Sequence, residues 1–233
     1  ALSGVQYTYD TNLLVYTKNI DGDIIHSDSQ DLMRDLLLEY FGMDLSSMMN
    51  MSEEYGMSAM SSLSPASSSM TLWQEMLSGN DGELINPLLK KQYDVVYGSW
   101  PTAYNEIVLV LDENNEIDDM ALYALGLISK EDMDDVMKAA VDKSDITVPE
   151  KHWSYAELCD MEFRVILNSN CYTLDEHTGL YTDLRSTNAG LKYLYDNAVP
   201  LKISGVIRPS KDAVSTMLSG SIGYTGELTR YII

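Results

Sequence analysis

Residues 199–210, VPLKISGVIRPS, alternate in a way that places Leu201, Ile203, Gly205 and Ile207 on one face of an extended chain. A strand with one apolar face holds only inside a sheet whose core covers that face. Further strand-like runs occur at 5–19 (VQYTYDTNLLVYTKN), at 161–167 (MEFRVIL) and twice within 93–112, on either side of a Gly–Pro turn. CYTLDEHTGLYTDLR (171–185) reads as a hairpin turning near Thr178–Gly179, and DGD (21–23) reads as a turn.

Helical patterns are scattered among these strands. DSQDLMRDLLLEYFG (28–42) is amphipathic and stops at a glycine; TLWQEML (71–77) reads as a short helix; NPLLKKQ (86–92) opens with Pro at its first position. NEIDDMALYALGL (115–127) is capped by Gly126, and SKEDMDDVMKAAVDK (129–143) starts at a Ser N-cap. SYAELCD (154–160) and STNAGLKYLYDNA (186–198) are helical, and SGSIGYTGELTRYII reads as a Gly-rich loop entering a helix. Strands and helices mix without a strict βαβ rhythm and without an internal repeat, so the expected fold class is α+β.

The chain has 233 residues, enough for one large domain or two small ones. Its apolar share of 45% is ordinary, and a core of this size needs no staples. Asp and Glu number 36 against 15 Lys and Arg, a formal charge of −21. That excludes nucleic acid as a partner and disfavours an anionic membrane surface, because both are held by cations. Sixteen Tyr stand against two Phe, a bias suited to half-buried strands and wet contact surfaces. No run of apolar residues is long enough to span a membrane, and no signal peptide is visible. The chain begins at Ala1 and closes on GELTRYII, so both ends read as cut from a longer protein.

No motif for catalysis or metal binding is present. His26, His152 and His177 stand apart, with no HExxH or CxxC-type spacing, and GxSxG, P-loop and GxGxxG patterns are missing. The expectation is therefore no catalytic, cofactor or metal residue. SGSIGYTG (219–226) carries two readings, an anion cradle or a loop in need of positive φ. DENNEIDD (112–119) has carboxylates, but a calcium loop would need Gly and Glu where Ile117 and Tyr123 stand. It reads as an acidic turn leading into a helix. Cys159 and Cys171 flank a strand-like run that holds them roughly 30 Å apart at ~3.3 Å per residue. A disulfide needs far less, so both are expected as free thiols.

GMDLSSMMNMSEEYGMSAMSSLSPASSSM (42–70) holds seven Met and ten Ser. Three readings stand: a loosely helical excursion interrupted at Gly56, an adaptable contact surface, or a copper(I) site built from thioethers. No His or Cys lies nearby to reinforce a metal site, and 61–70 has linker composition.

Two stretches, YDVVYGSWPTAYNEIVLVLDENNEIDDMALYALGL (93–127) and LKISGVIRPSKDAVSTMLSGSIGYTGELTRYII (201–233), carry a resemblance. They are similar to the extracytoplasmic domain of ABC-transporter permeases of the FtsX-like, MacB-type family. The matching positions are Gly98, Trp100 and Pro101, then Asn105 to Leu109, Leu125–Gly126, and Lys202 to Pro209. Ser99 departs from the Arg that is commoner in that family.

The resemblance implies a MacB-like periplasmic-core architecture. A porter-like subdomain would span 1–92 and 209–233, incomplete at its C-terminus and bearing the 42–70 excursion; an inserted subdomain would span 93–208. It also implies a non-catalytic domain on the extracellular face of the cytoplasmic membrane. Such a domain relays the motion of a transmembrane permease, driven by a cytoplasmic ATPase, to a substrate or extracellular partner protein. A second permease subunit is a further implied partner, and no cofactor is implied. Two other functions compete: a secreted hydrolase using buried carboxylates, and a copper(I)-handling module using the methionines.

Overall fold

The computed structural model describes residues 13–28, 34, 38, 42, 72–80, 82–142 and 151–233. Ten strands are described: β1 Val15–Lys18, β2 Ile24–His26, β3 Trp73–Glu75, β4 Tyr93–Gly98, β5 Glu106–Val110, β6 Glu162–Val165, β7 Tyr172–Asp175, β8 Leu180–Asp183, β9 Val199–Pro209 and β10 Ile222–Tyr224. The helices are α1 Pro87–Gln92, α2 Asp119–Ala124, α3 Lys130–Asp142, α4 Tyr155–Cys159, α5 Asn188–Asp196 and α6 Gly226–Ile232. The fold is mixed α+β.

Eight strands form one sheet in the order β2-β1-β6-β9-β5-β10-β3, with β4 also on β9. The long β9 organises it. Its first half pairs with β6, its second half pairs with β4 on the same side, and β5 runs parallel along its other side. β10 pairs antiparallel with β5 and parallel with β3. The sheet draws β1, β2, β3 and β10 from the 1–92 and 209–233 segments and β4, β5, β6 and most of β9 from 93–208; the 208/209 boundary lies inside β9. β7 and β8 form a separate two-stranded ribbon.

Helices cover both faces. On one, Ala121, Ala124 and Leu125 of the α2 region, Leu158 of α4 and Leu228 of α6 pack on Ile107, Leu109, Phe163, Ile203 and Val206. On the other, Leu89 of α1 joins Val108 and Ile207, while Leu194 and Tyr195 of α5 join Tyr16, Ile166 and Cys171. Local signals set the helix starts. Asn86, Asp118, Ser154, Thr187 and Thr225 each accept an N–H of the first turn, and Ser154 with Glu157 completes a capping box. Ser129 Oγ accepts from Asp132 N, as expected for α3. Arg34 and Leu38 are helical, and Gly42 donates its N–H to Leu38 O; the rest of 29–42, residues 1–12 and most of the Met/Ser stretch lie outside the described residues.

Three expectations are corrected. TLWQEML is no helix: Trp73–Glu75 is β3, paired in parallel with Ile222–Tyr224. Ladder bonds and burial of Met76 and Leu77 outweigh a helical propensity that seven residues cannot sustain alone. The stretch 219–226 is not simply a loop, because Ile222–Tyr224 forms the inner strand β10. Ile207 does not share a core with Leu201 and Ile203. A bulge sets Ile107 opposite Ile203 but Val108 opposite Gly205, so Val206 inherits the first face and Ile207 turns to the second.

Candidate functional site

The positions that carry the family resemblance are occupied with holding the sheet together. Gly98 has φ +68°, and a Cβ there would stand 2.2 Å from Ser204 O. A Cβ on Gly205 would stand 2.4 Å from Ser99 O. The two backbones touch at the bulge, where Ser99 N donates to Ser204 O at 2.9 Å and Ser204 Oγ donates to Ser99 O and Ile107 O. Ser99 therefore contributes through its backbone.

Glu106 Oε2 closes the 102–106 turn by accepting from Thr102 N at 2.7 Å, from Thr102 Oγ1 and from Ala103 N. The donation by Thr102 N is the main reason its carboxyl is held below the usual range. Asn105 Nδ2 donates to Pro200 O, and Arg208 Nη1 donates to Asn115 Oδ1. Gly126, φ +79°, lies where a Cβ would be 2.7 Å from Lys18 O.

The other flagged stretches resolve in the same way. In 219–226 the N–H groups of Ser219 and Gly220 both point at Gln74 Oε1, at 2.7 and 3.2 Å, so a side-chain amide fills the cradle an anion would need. In 112–119 Asp112 Oδ1 accepts from Asn114 N and Glu116 N, and Asp118 Oδ1 caps α2 by accepting from Ala121 N. The acidic run is a turn and a cap.

The His26 ring lies 5.0 Å from that of Tyr16, His177 sits in the β7–β8 turn, and His152 precedes α4. No group of three or more metal-ligating side chains gathers among the described residues. Cys159 and Cys171 are free thiols, as expected, and burial pushes both above the ordinary thiol value. The methionine readings fall on residues outside those described.

What the sequence did not single out is a cleft of about 560 Å³ beside the β7–β8 ribbon. Its lining includes Asn170, then Tyr172 and Thr173 of β7, Tyr193 of α5 with Asn197 at that helix's C-cap, and Tyr231 of α6. None of its lining side chains, among the described residues, is charged. Aromatic rings and a few neutral polar groups mix in its lining.

Each wall is held in place. Arg185 Nη2 donates to the Tyr172 hydroxyl at 3.1 Å while its guanidinium is neutralised on Asp183. The Arg185 bonds, foremost, hold the Asp183 carboxyl below its ordinary value. Tyr231 stacks on Tyr104 at 4.7 Å, and Asn197 Nδ2 donates to Tyr193 O. Beneath α5, Tyr195 is buried with the Arg164 guanidinium 5.1 Å from its ring centroid. The ribbon leaves Leu180 68% and Tyr181 70% exposed. The one sequence signal for this surface was the excess of tyrosine.

Comparison with protein-family models, with curated proteins and with solved structures finds no match for this chain.

Proposed function

We propose that this chain is the extracytoplasmic domain of an ABC-transporter permease of the FtsX-like, MacB-type family. It acts without an active site of its own, passing the motion of membrane helices, driven by a cytoplasmic ATPase, to a substrate or partner protein outside the membrane. The observation that carries the reading is the paired resemblance of 93–127 and 201–233. These stretches, distant in sequence, supply the adjacent strands β4, β9, β5 and β10. Their shared residues Gly98, Gly205 and Glu106 act in the joint between those strands.

Two further features are compatible. The exposed apolar groups of the ribbon provide a contact surface, and no helix of the described residues is long and apolar enough to cross a membrane. In the porter-plus-insertion architecture that goes with this reading, 93–208 is the inserted subdomain.

The test is the flanking gene sequence. The reading expects four hydrophobic spans, with this domain directly after the first, and an ATPase encoded alongside or in the same chain. A gene without a span within a few tens of residues before Ala1 overturns it.

A further inference from the structure

The β7–β8 ribbon is a two-stranded sheet, a unit that is marginal in water without a further strand. Its hydrogen-bond phase can be read from one bond and the register. Leu184 N donates to Cys171 O, and Tyr172 is paired with Asp183, so 171–184 is a hydrogen-bonded pair. Such pairs alternate with non-bonded ones in an antiparallel ladder. Thr173 and Asp175 therefore point their backbone groups at β8, while Tyr172 and Leu174 point theirs outward. That outward edge belongs to the strand that lines the cleft: Tyr172 and Thr173 are in its wall and no residue of β8 is. Among the described residues no further strand pairs with that edge, which borders a neutral, tyrosine-walled cleft.

From this juxtaposition we infer that β7 accepts an extended segment of a partner polypeptide as a third strand, seated in the cleft against Tyr193 and Asn197. Backbone groups of the segment pair with Tyr172 and Leu174, and its alternate side chains enter between the tyrosines. The chemistry of the segment follows from charge. The cleft wall has no charged side chain in a chain with 51 charged residues (36 acidic plus 15 basic), so the seated residues are uncharged. The end of β7 and the turn beyond it carry Asp175 and Glu176, so the flank of the segment on that side is basic. A second copy is a poor occupant, because each copy brings −21. Insertion of the ribbon into lipid is disfavoured by the same acidic tip. The inference concerns the cleft alone and stands whether or not the chain belongs to a permease.

The experiment uses the full chain and a pool of decapeptides with two lysines at each end and a core alternating Val, Thr and Tyr. Saturable binding below about 1 mM is expected. Amide exchange should slow at Tyr172 and Leu174 and stay unchanged at Tyr181 and Asp183. Leu174→Pro removes an outward N–H without touching the β7–β8 bonds and is expected to weaken binding by about tenfold or more. Tyr181→Pro, the matching change on the β8 edge, should alter it by less than about twofold. Retained exchange protection at Leu180 and Thr182 reports that the ribbon is intact in both variants. Tyr193→Ser, elsewhere in the cleft lining, should also weaken binding, and N-methylation of alternate core residues of the peptide should abolish it.

No saturable binding, or equal losses in the two proline variants, overturns the inference. So does slowed exchange at the cleft with chitohexaose but not with peptide, or self-association through this edge. Binding that emerges only when residues 1–12 are deleted would assign the edge to the chain's own N-terminal segment and would overturn it as well.

Discussion

The β4-β9-β5 joint and the β7–β8 ribbon are built from similar residue types and do opposite things. Ile107, Val108 and Leu109 of β5 are fully buried, with core on both faces of the sheet. Leu174, Leu180 and Tyr181 of the ribbon are nearly half exposed or more. The joint contains Gly98, Glu106 and Gly205, residues behind the proposed family, and each of the three does structural work. The ribbon contains none of them and offers the surface. Burial on both faces of the sheet fixes the joint, while the ribbon keeps its apolar groups at the surface.

That contrast can be broken by substitution. The largest effect is expected for Gly205→Val, which drives a side chain into the Ser99 backbone; a loss of at least about 4 kcal/mol is expected, read by denaturant unfolding. Soluble, stable Gly205→Val protein would show that the joint is not rigid. Leu109→Ala should cost about 2–5 kcal/mol by the same measurement, since it empties a fully buried site in the core.

A smaller effect belongs to Asp132 at the start of α3. Lys151 Nζ donates to it at 2.7 Å, and Ser129 N and Oγ donate as well, holding its pKa at about 2. Because the folded value lies below the ordinary one, the stabilisation is present above about pH 4 and is lost as pH falls through about 2. The carboxylate is 38% exposed, so screening keeps the Lys151 pair small. NMR titration should show the α3 amide shifts moving in that window in the wild type, and Asp132→Asn should remove the step. The smallest change is expected for Leu180→Ser on the ribbon, within about 0.5 kcal/mol. A larger loss would mean that the ribbon belongs to the core and would erase the distinction.

Much of the local structure was legible in the sequence. The Ser129 cap of α3 and the Pro87 start of α1 sit where the sequence places them, because capping and helix starts depend on neighbours within four residues. The ribbon turn at Gly179 follows for the same reason. TLWQEML failed because its state depends on Ile222–Tyr224, a strand far along the chain. The face of Ile207 failed because one extra residue at the bulge reverses every side chain after it.

By itself the sequence determined the α+β class, the acidic surface, the turns and the helix starts, all of which follow from composition or from near neighbours. The tertiary structure alone decided three things. It gave Gln74 the N–H groups of Ser219 and Gly220, set Gly98 against Ser204, and brought Tyr172, Tyr193 and Tyr231 around one cleft. Each joins residues separated along the chain, and such contacts depend on strand order and register, which no local pattern encodes.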